Sequence, residues 1–408
     1  MGLGVYRKYF KGDNIIWIVL VALSIASMLV IYSSTGALAF RVAGGDTAHY
    51  LFRQTLMHLL GFGIILFMVN FVPIKFYNRA ANLGMLTAFF FIIMGLVFGR
   101  ASGGTGRTLP LGFISFQPAE LAKVALIIWV ARILANNQTN KENLKKAFGK
   151  TLLGAAAICA PIAVADFSTA GLIFTTVVIM MFVGRVPLKY MVLLAMAGVA
   201  LVAVMYFIAP HLPDGGRSGR IKTVRARIER YMHGDKRSEQ GLTQADFAKI
   251  AIHRGGFTGV GTGNSLVSNF ISAAYNDFIY SIIIEEYGMI GGGIILLFYI
   301  MLLTRGGILL RKSNRTFPAF LAVGVTALLF MQAMINMGVS VGVLPVTGQP
   351  LPWVSWGGTS QLFTAIAFGL LLSVSSQNTK ERREEVEQNF RSTEELPDED
   401  VQLREETV

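Results

Sequence analysis

Cysteine and charge are what this sequence has least of. One cysteine, Cys159, stands among 408 residues, so no disulfide can form within the chain. Its place inside an apolar run marks it as core packing. Charged residues make up only 15% against 53% hydrophobic, with a mean hydropathy of +0.55, which excludes a soluble globular domain. The short alternating segments of an outer-membrane barrel are missing. No internal repeat is legible, so the inverted-repeat architecture of one large class of carriers finds no support.

Long apolar runs are what the chain has instead. A membrane span needs about 20 such residues, and about ten segments qualify: 14–36, 51–72, 82–99, 118–135, 151–166, 168–184, 188–210, 278–303, 316–338 and 359–376. Asp166 and Ser168 mark the junction of the fifth and sixth without a real loop. The class is an all-α polytopic membrane protein. Basic residues in alternate short loops set its orientation: Arg7, Lys8 and Lys11 before the first run, Lys75 and Arg79 after the second, and Lys141, Lys145, Lys146 and Lys150 after the fourth. Arg305, Arg311, Lys312 and Arg315 follow the eighth. Both termini should then be cytoplasmic, residues 1–13 forming a short lead. The net charge of +12 is mostly this topogenic set, so nucleic-acid binding is not inferred from it. The first run is too long for a signal peptide and reads as an uncleaved span.

The expected bundle spans residues 14–376, and two segments lie outside its helices, the first of them a long loop within that span. The loop 211–276 falls outside the cell by span count and is rich in arginine, including Arg217, Arg220, Arg225, Arg227 and Arg230. Its stretch from Arg220 to Met232 suits an amphipathic helix on the membrane surface, serving either attraction to anionic headgroups or a substrate phosphate. Residues 377–408 are dominated by Glu and Asp and are expected to form a disordered cytoplasmic tail, a candidate docking element.

Five polar features interrupt the apolar background. In Gln117-Pro118-Ala119-Glu120-Leu121-Ala122-Lys123, Pro118 suits a first helical turn, and Glu120 and Lys123 share a face; a local ion pair would explain them. Asp166, with Ser168 and Thr169, suits helix capping. Gly259-Val260-Gly261-Thr262-Gly263 fails the spacing and strand context of a nucleotide loop. Leu344 to Ser360, with Ser355 and Ser360, is irregular backbone that must line a cavity or reach water. The last is Asn276-Asp277-Phe278-Ile279 through Glu285-Glu286-Tyr287-Gly288. On a continuous helix Glu285 would lie about 12 Å along the axis from Asp277 and about 80° round it, so both could border one cavity while Glu286 pairs with a neighbouring helix. Carboxylates at such depth usually face a cavity, a partner or a reaction. An N-cap on the eighth span is the simple alternative for Asp277.

The order and wording of three of these blocks resemble the SEDS family (shape, elongation, division and sporulation; FtsW and RodA) across most of residues 14–376. They are Gln117 to Lys123, Asn276 to Gly288, and Leu344 to Ser360. Gly263-Asn264-Ser265 is closer to the FtsW branch than to RodA. The resemblance implies a peptidoglycan glycosyltransferase that polymerises lipid II, the undecaprenyl-pyrophosphate disaccharide-pentapeptide, at the outer face of the cytoplasmic membrane. Its implicated positions fall on Glu120, Lys123, Asp166 and Asp277. Asp277 would be the base. Lys123 and the loop arginines, among them Arg220 and Arg227, would meet the pyrophosphate, with Ser355 and Ser360 as further contacts and room for a divalent cation (Mg or Mn). Expected partners are a class B penicillin-binding transpeptidase and proteins of a division or elongation complex. The chain departs from the family at Arg107-Thr108-Leu109, Ser168, Trp356 and Thr359. A lipid II flippase or a non-catalytic scaffold would use a similar bundle.

Overall fold

Hydrocarbon cannot hydrogen-bond a backbone, so each apolar run must close its own bonds as a helix. The computed structural model describes residues 9–35, 47–101, 108–111, 114–211, 222–223, 225–227, 229, 242–265, 270 and 274–394, and there every expected run is helical. The helices are α1 (Asn14–Ser34), α2 (Thr47–Phe71), α3 (Ile74–Ala101), α4 (Pro118–Asn136), α5 (Lys141–Ala165), α6 (Phe167–Val183) and α7 (Leu188–Ile208). After them come α8 (Gln244–Gly255), the single turn α9 (Ala274–Asp277), α10 (Ile279–Lys312), α11 (Thr316–Ser340) and α12 (Thr359–Glu394). Eight are long and apolar enough to cross a membrane. Two of the ten expected spans fall short of that measure. Helix α6 has 17 residues, and α4 carries Glu120, Lys123 and Arg132.

Helix α11 sits at the centre, packed against α4, α6, α10 and α12. Helix α7 lies at the rim, with Val199 72% and Phe207 71% exposed, as a lipid-facing helix should be. Asp166 both ends α5 and caps α6, which turns the chain with no loop. One small sheet was not expected: β1 (Leu109–Leu111) pairs antiparallel with β2 (Ile114–Phe116), Leu109 opposite Phe116.

The ends of the bundle are defined by their contacts. Arg305 on α10 pairs with Asp13, and the Asn70 amide donates to the Tyr9 carbonyl at 2.9 Å. Arg315 meets Glu381 at 3.0 Å, and Asn314 donates to Glu385 at 2.5 Å. The chain before α1 and the far end of α12 therefore share one end, as the even number of spans requires. Residues 377–394, expected to be disordered, instead continue α12. Bonds at i,i+4 from Gln377 to Glu381 and Lys380 to Glu384, together with the docking on Arg315 and Asn314, supply what composition alone did not reveal. Residues 395–408 lie outside the described part.

Helix α10 is broken at Gly288, whose φ of 70° and ψ of −173° suit glycine alone. The segment after α8 threads into the break. Val260 and Gly261 donate to the carbonyls of Glu285 and Glu286 at 2.9 and 3.0 Å, and Met289 donates to Gly256 at 2.9 Å. A Cβ at Gly288 would clash with the Phe257 carbonyl oxygen. The glycine-rich stretch thus completes a broken membrane helix.

Candidate active site

At the end opposite the termini, one cavity of about 280 Å3 collects residues that are far apart in sequence. Glu120, Asp166, Asp277 and Ser360 all line it, with Arg53, Gln349 and Trp356. Asp277 is not the cap of α10. That position belongs to Phe278, so the carboxylate closes the separate turn α9 and borders the cavity, 3.4 Å from the place a Cβ on Gly348 would occupy.

The backbone around Asp277 is held on three sides. Asn336 on α11 donates to the Asp277 carbonyl at 2.9 Å and to Gln349 at 2.8 Å. The Ser355 hydroxyl donates to the Asn276 carbonyl at 2.7 Å, and the Trp356 N–H to Tyr275 at 3.0 Å. Burial, then the neighbouring Tyr50 and the charge of Asp277, push the Tyr275 phenol above its ordinary pKa, so it stays protonated beside that carboxylate.

A second chain of bonds ties the other carboxylates to the same loop. Glu120 and Lys123 pair at 2.8 Å, almost wholly buried, and Lys123 also donates to Gln332 at 3.2 Å. The Gln332 amide holds the Pro350 carbonyl at 3.0 Å. Asp166 accepts from the N–H groups of Ser168 and Thr169, the capping role its sequence suggested, while Gln349 donates to the Thr169 hydroxyl at 2.8 Å. The loop 349–358 is the common target. Its interior is fixed by Ser27 donating to the Val354 carbonyl at 2.7 Å and by Trp353, whose indole donates to Ser24 at 2.7 Å. Trp353 has a φ of 68°, a conformation that costs about 1–3 kcal/mol and persists because its surroundings over-determine it.

Several expectations change in detail. Lys123, expected at the pyrophosphate, lies beneath the cavity wall at 2% exposure, because its charge is balanced there by Glu120. Ser355 is likewise buried and positions Asn276 instead of lining the cavity. Glu285 does not border the cavity. The break before Ile279 and the inserted segment place it against Arg254 at 2.9 Å and Ser265 at 2.5 Å. Glu286 does reach a neighbouring helix, accepting from Ser33 on α1 and from the Gly263 N–H. Arg227 donates to the Val346 carbonyl at 3.0 Å, beside the loop that forms the cavity, whereas Arg220 falls outside the described residues.

Sequence reading missed Arg53, the cation among the described residues that line the cavity, whose guanidinium sits 5.4 Å from the Trp356 ring centre. Its signal was available: a lone arginine early in an apolar run is costly unless it faces water or a partner. For a divalent cation, no group of three His, Cys, Asp or Glu side chains converges among the described residues.

The family described as cell cycle protein, comprising FtsW, RodA and SpoVE, matches residues 13–380. The chain belongs to this family. An FtsW/RodA/SpoVE relative from Coxiella burnetii, named "Probable peptidoglycan glycosyltransferase FtsW", is 30% identical over 88% of this chain and 95% of its own. A protein of the same name from Saccharophagus degradans is 31% identical over 90% of this chain and 92% of its own. A solved structure described as "Structural coordination of polymerization and crosslinking by a peptidoglycan synthase complex" superposes with a TM-score of 0.69 at 23% identity, over 90% of this chain and 98% of that one, and it supports the fold.

Proposed function

We infer that the chain is a peptidoglycan glycosyltransferase that polymerises lipid II, of the FtsW branch, with its cavity at the outer face of the cytoplasmic membrane. The observation that carries this reading is the convergence of Asp277, Arg53, Glu120 and Asp166 on one polar cavity within an otherwise apolar bundle. Family membership supports the reaction class, and the relatives' names support the branch. The basic turn between α10 and α11, with Arg311, Lys312 and Arg315, and the cavity stand at opposite ends of the bundle, which supports an outward-facing site.

In this reaction an acceptor sugar hydroxyl attacks the anomeric carbon of the donor. The new C–O bond forms as the bond to the lipid pyrophosphate breaks, and the pyrophosphate leaves with the electron pair. Asp277 takes the hydroxyl proton. Arg53 faces the leaving phosphate charge in a partly desolvated site. The buried Glu120–Lys123 pair acts through Gln332 and Pro350, holding the wall against which the sugar rests. The cavity is below the ~300–1,000 Å3 of drug-sized ligand sites, so it holds the reacting groups while glycan and peptide extend beyond its mouth. No step is routed through a metal. A class B penicillin-binding transpeptidase, which cross-links the strands, is the expected partner within a division complex.

Purified chain with its transpeptidase partner, given lipid II in detergent, should yield glycan strands of many repeats on gel analysis. Translocation of lipid II in liposomes without any polymer would overturn the enzyme reading in favour of a transporter.

A further inference from the structure

The end that carries the termini holds a cleft that no step of this reaction uses. It has a volume of about 1350 Å3 and lies between the segment before α1, the turn from α2 to α3, and the extension of α12. One wall is apolar, formed by Val69, Phe71, Val72 and Ile74, and Phe71 is 74% exposed beside it. The other lining residues include five cations, Lys11, Lys75, Arg315, Lys380 and Arg383, against two carboxylates, Glu381 and Glu384. Those carboxylates are already engaged. Glu381 meets Arg315 at 3.0 Å and accepts from Gln377 at 2.7 Å, and Glu384 stands 3.7 Å from Lys380.

Lys11, Lys75 and Arg383 come from three separate segments and border one space, with no carboxylate at ion-pair distance among the described residues. Like charges gathered in this way repel unless an anion sits between them. An apolar wall continuous with exposed Phe71 gives such an anion a hydrocarbon neighbour. We propose that the cleft binds the phosphodiester headgroup of an anionic phospholipid, its phosphate among Lys11, Lys75 and Arg383 and its acyl chains along Val69, Phe71 and Val72. The bound lipid joins the α12 extension to the α2–α3 turn, far from the catalytic cavity.

Native mass spectrometry of the full chain in detergent, titrated with phosphatidylglycerol or phosphatidylcholine, tests this. The wild type should retain phosphatidylglycerol about tenfold more strongly, and the combined Lys11→Gln, Lys75→Gln, Arg383→Gln variant should lose that preference. A control variant with Lys145→Gln, Lys146→Gln and Lys150→Gln removes three exposed cations from α5 at the same end and should keep it. Equal loss in both variants would mean diffuse surface attraction and overturn the proposal, as would no preference in the wild type. Displacement of the lipid by millimolar inorganic phosphate would identify a free-anion site and overturn it too. Matched unfolding temperatures for the two variants would show that the loss is one of binding.

Discussion

Apart from the Arg305–Asp13 pair, where Asp13 is 6% exposed, the two ends of this bundle treat charge in opposite ways. At the cavity end, Glu120 and Lys123 are buried as a pair, and Glu285 is buried against Arg254. At the end bearing the termini, Lys380 and Glu384 stand 79% and 58% exposed, and Arg315 is 56% exposed beside Glu381. Buried charge is expensive unless every partner is in place, so the cavity end is rigid and intolerant of loss. Exposed charge costs little and can be exchanged, which suits orientation and attachment to the membrane surface. On the proposed reading the difference separates chemistry from anchoring along one set of helices.

Removing half of the buried pair is the strongest way to sharpen that contrast. Lys123→Met leaves Glu120 without its cation and should cost about 3–5 kcal/mol in chemical unfolding. Adding Glu120→Gln should restore much of the stability, though not the wall of the cavity. Gly288→Ala comes next. A left-handed φ and a clash with the Phe257 oxygen should together cost about 2 kcal/mol or more, read as faster proteolysis in the 254–265 segment. At the other end, Arg315→Ala should change stability by less than about 1 kcal/mol, since its ion pair is more than half exposed on the arginine side. A large loss there would break the comparison.

The sequence made the spans legible because burial in lipid demands uninterrupted apolar length, and each of the ten runs became a helix. It also made the three cavity carboxylates legible, since charge in such runs is rare. The rest depended on contacts that no local pattern carries. Glu285 read as a cavity residue because helical arithmetic assumes continuity, and the chain is not helically continuous at Phe278. The extension of α12 read as disordered because its partners, Arg315 and Asn314, are remote in sequence. Ser355 and Lys123 stand within the wording of the site blocks, but their burial places them behind the wall. Arg53 escaped notice because it stands alone within 51–72, in no motif block.

The most direct test of the account is polymerisation of lipid II by Asp277→Asn against wild type, each with its transpeptidase and with lipid II binding measured alongside. Because the substitution keeps shape and removes only the proton acceptor, the rate should fall at least about 100-fold while binding and unfolding temperature stay near wild type. A variant that polymerises at close to the wild-type rate would remove Asp277 from the role of base and contradict the central claim.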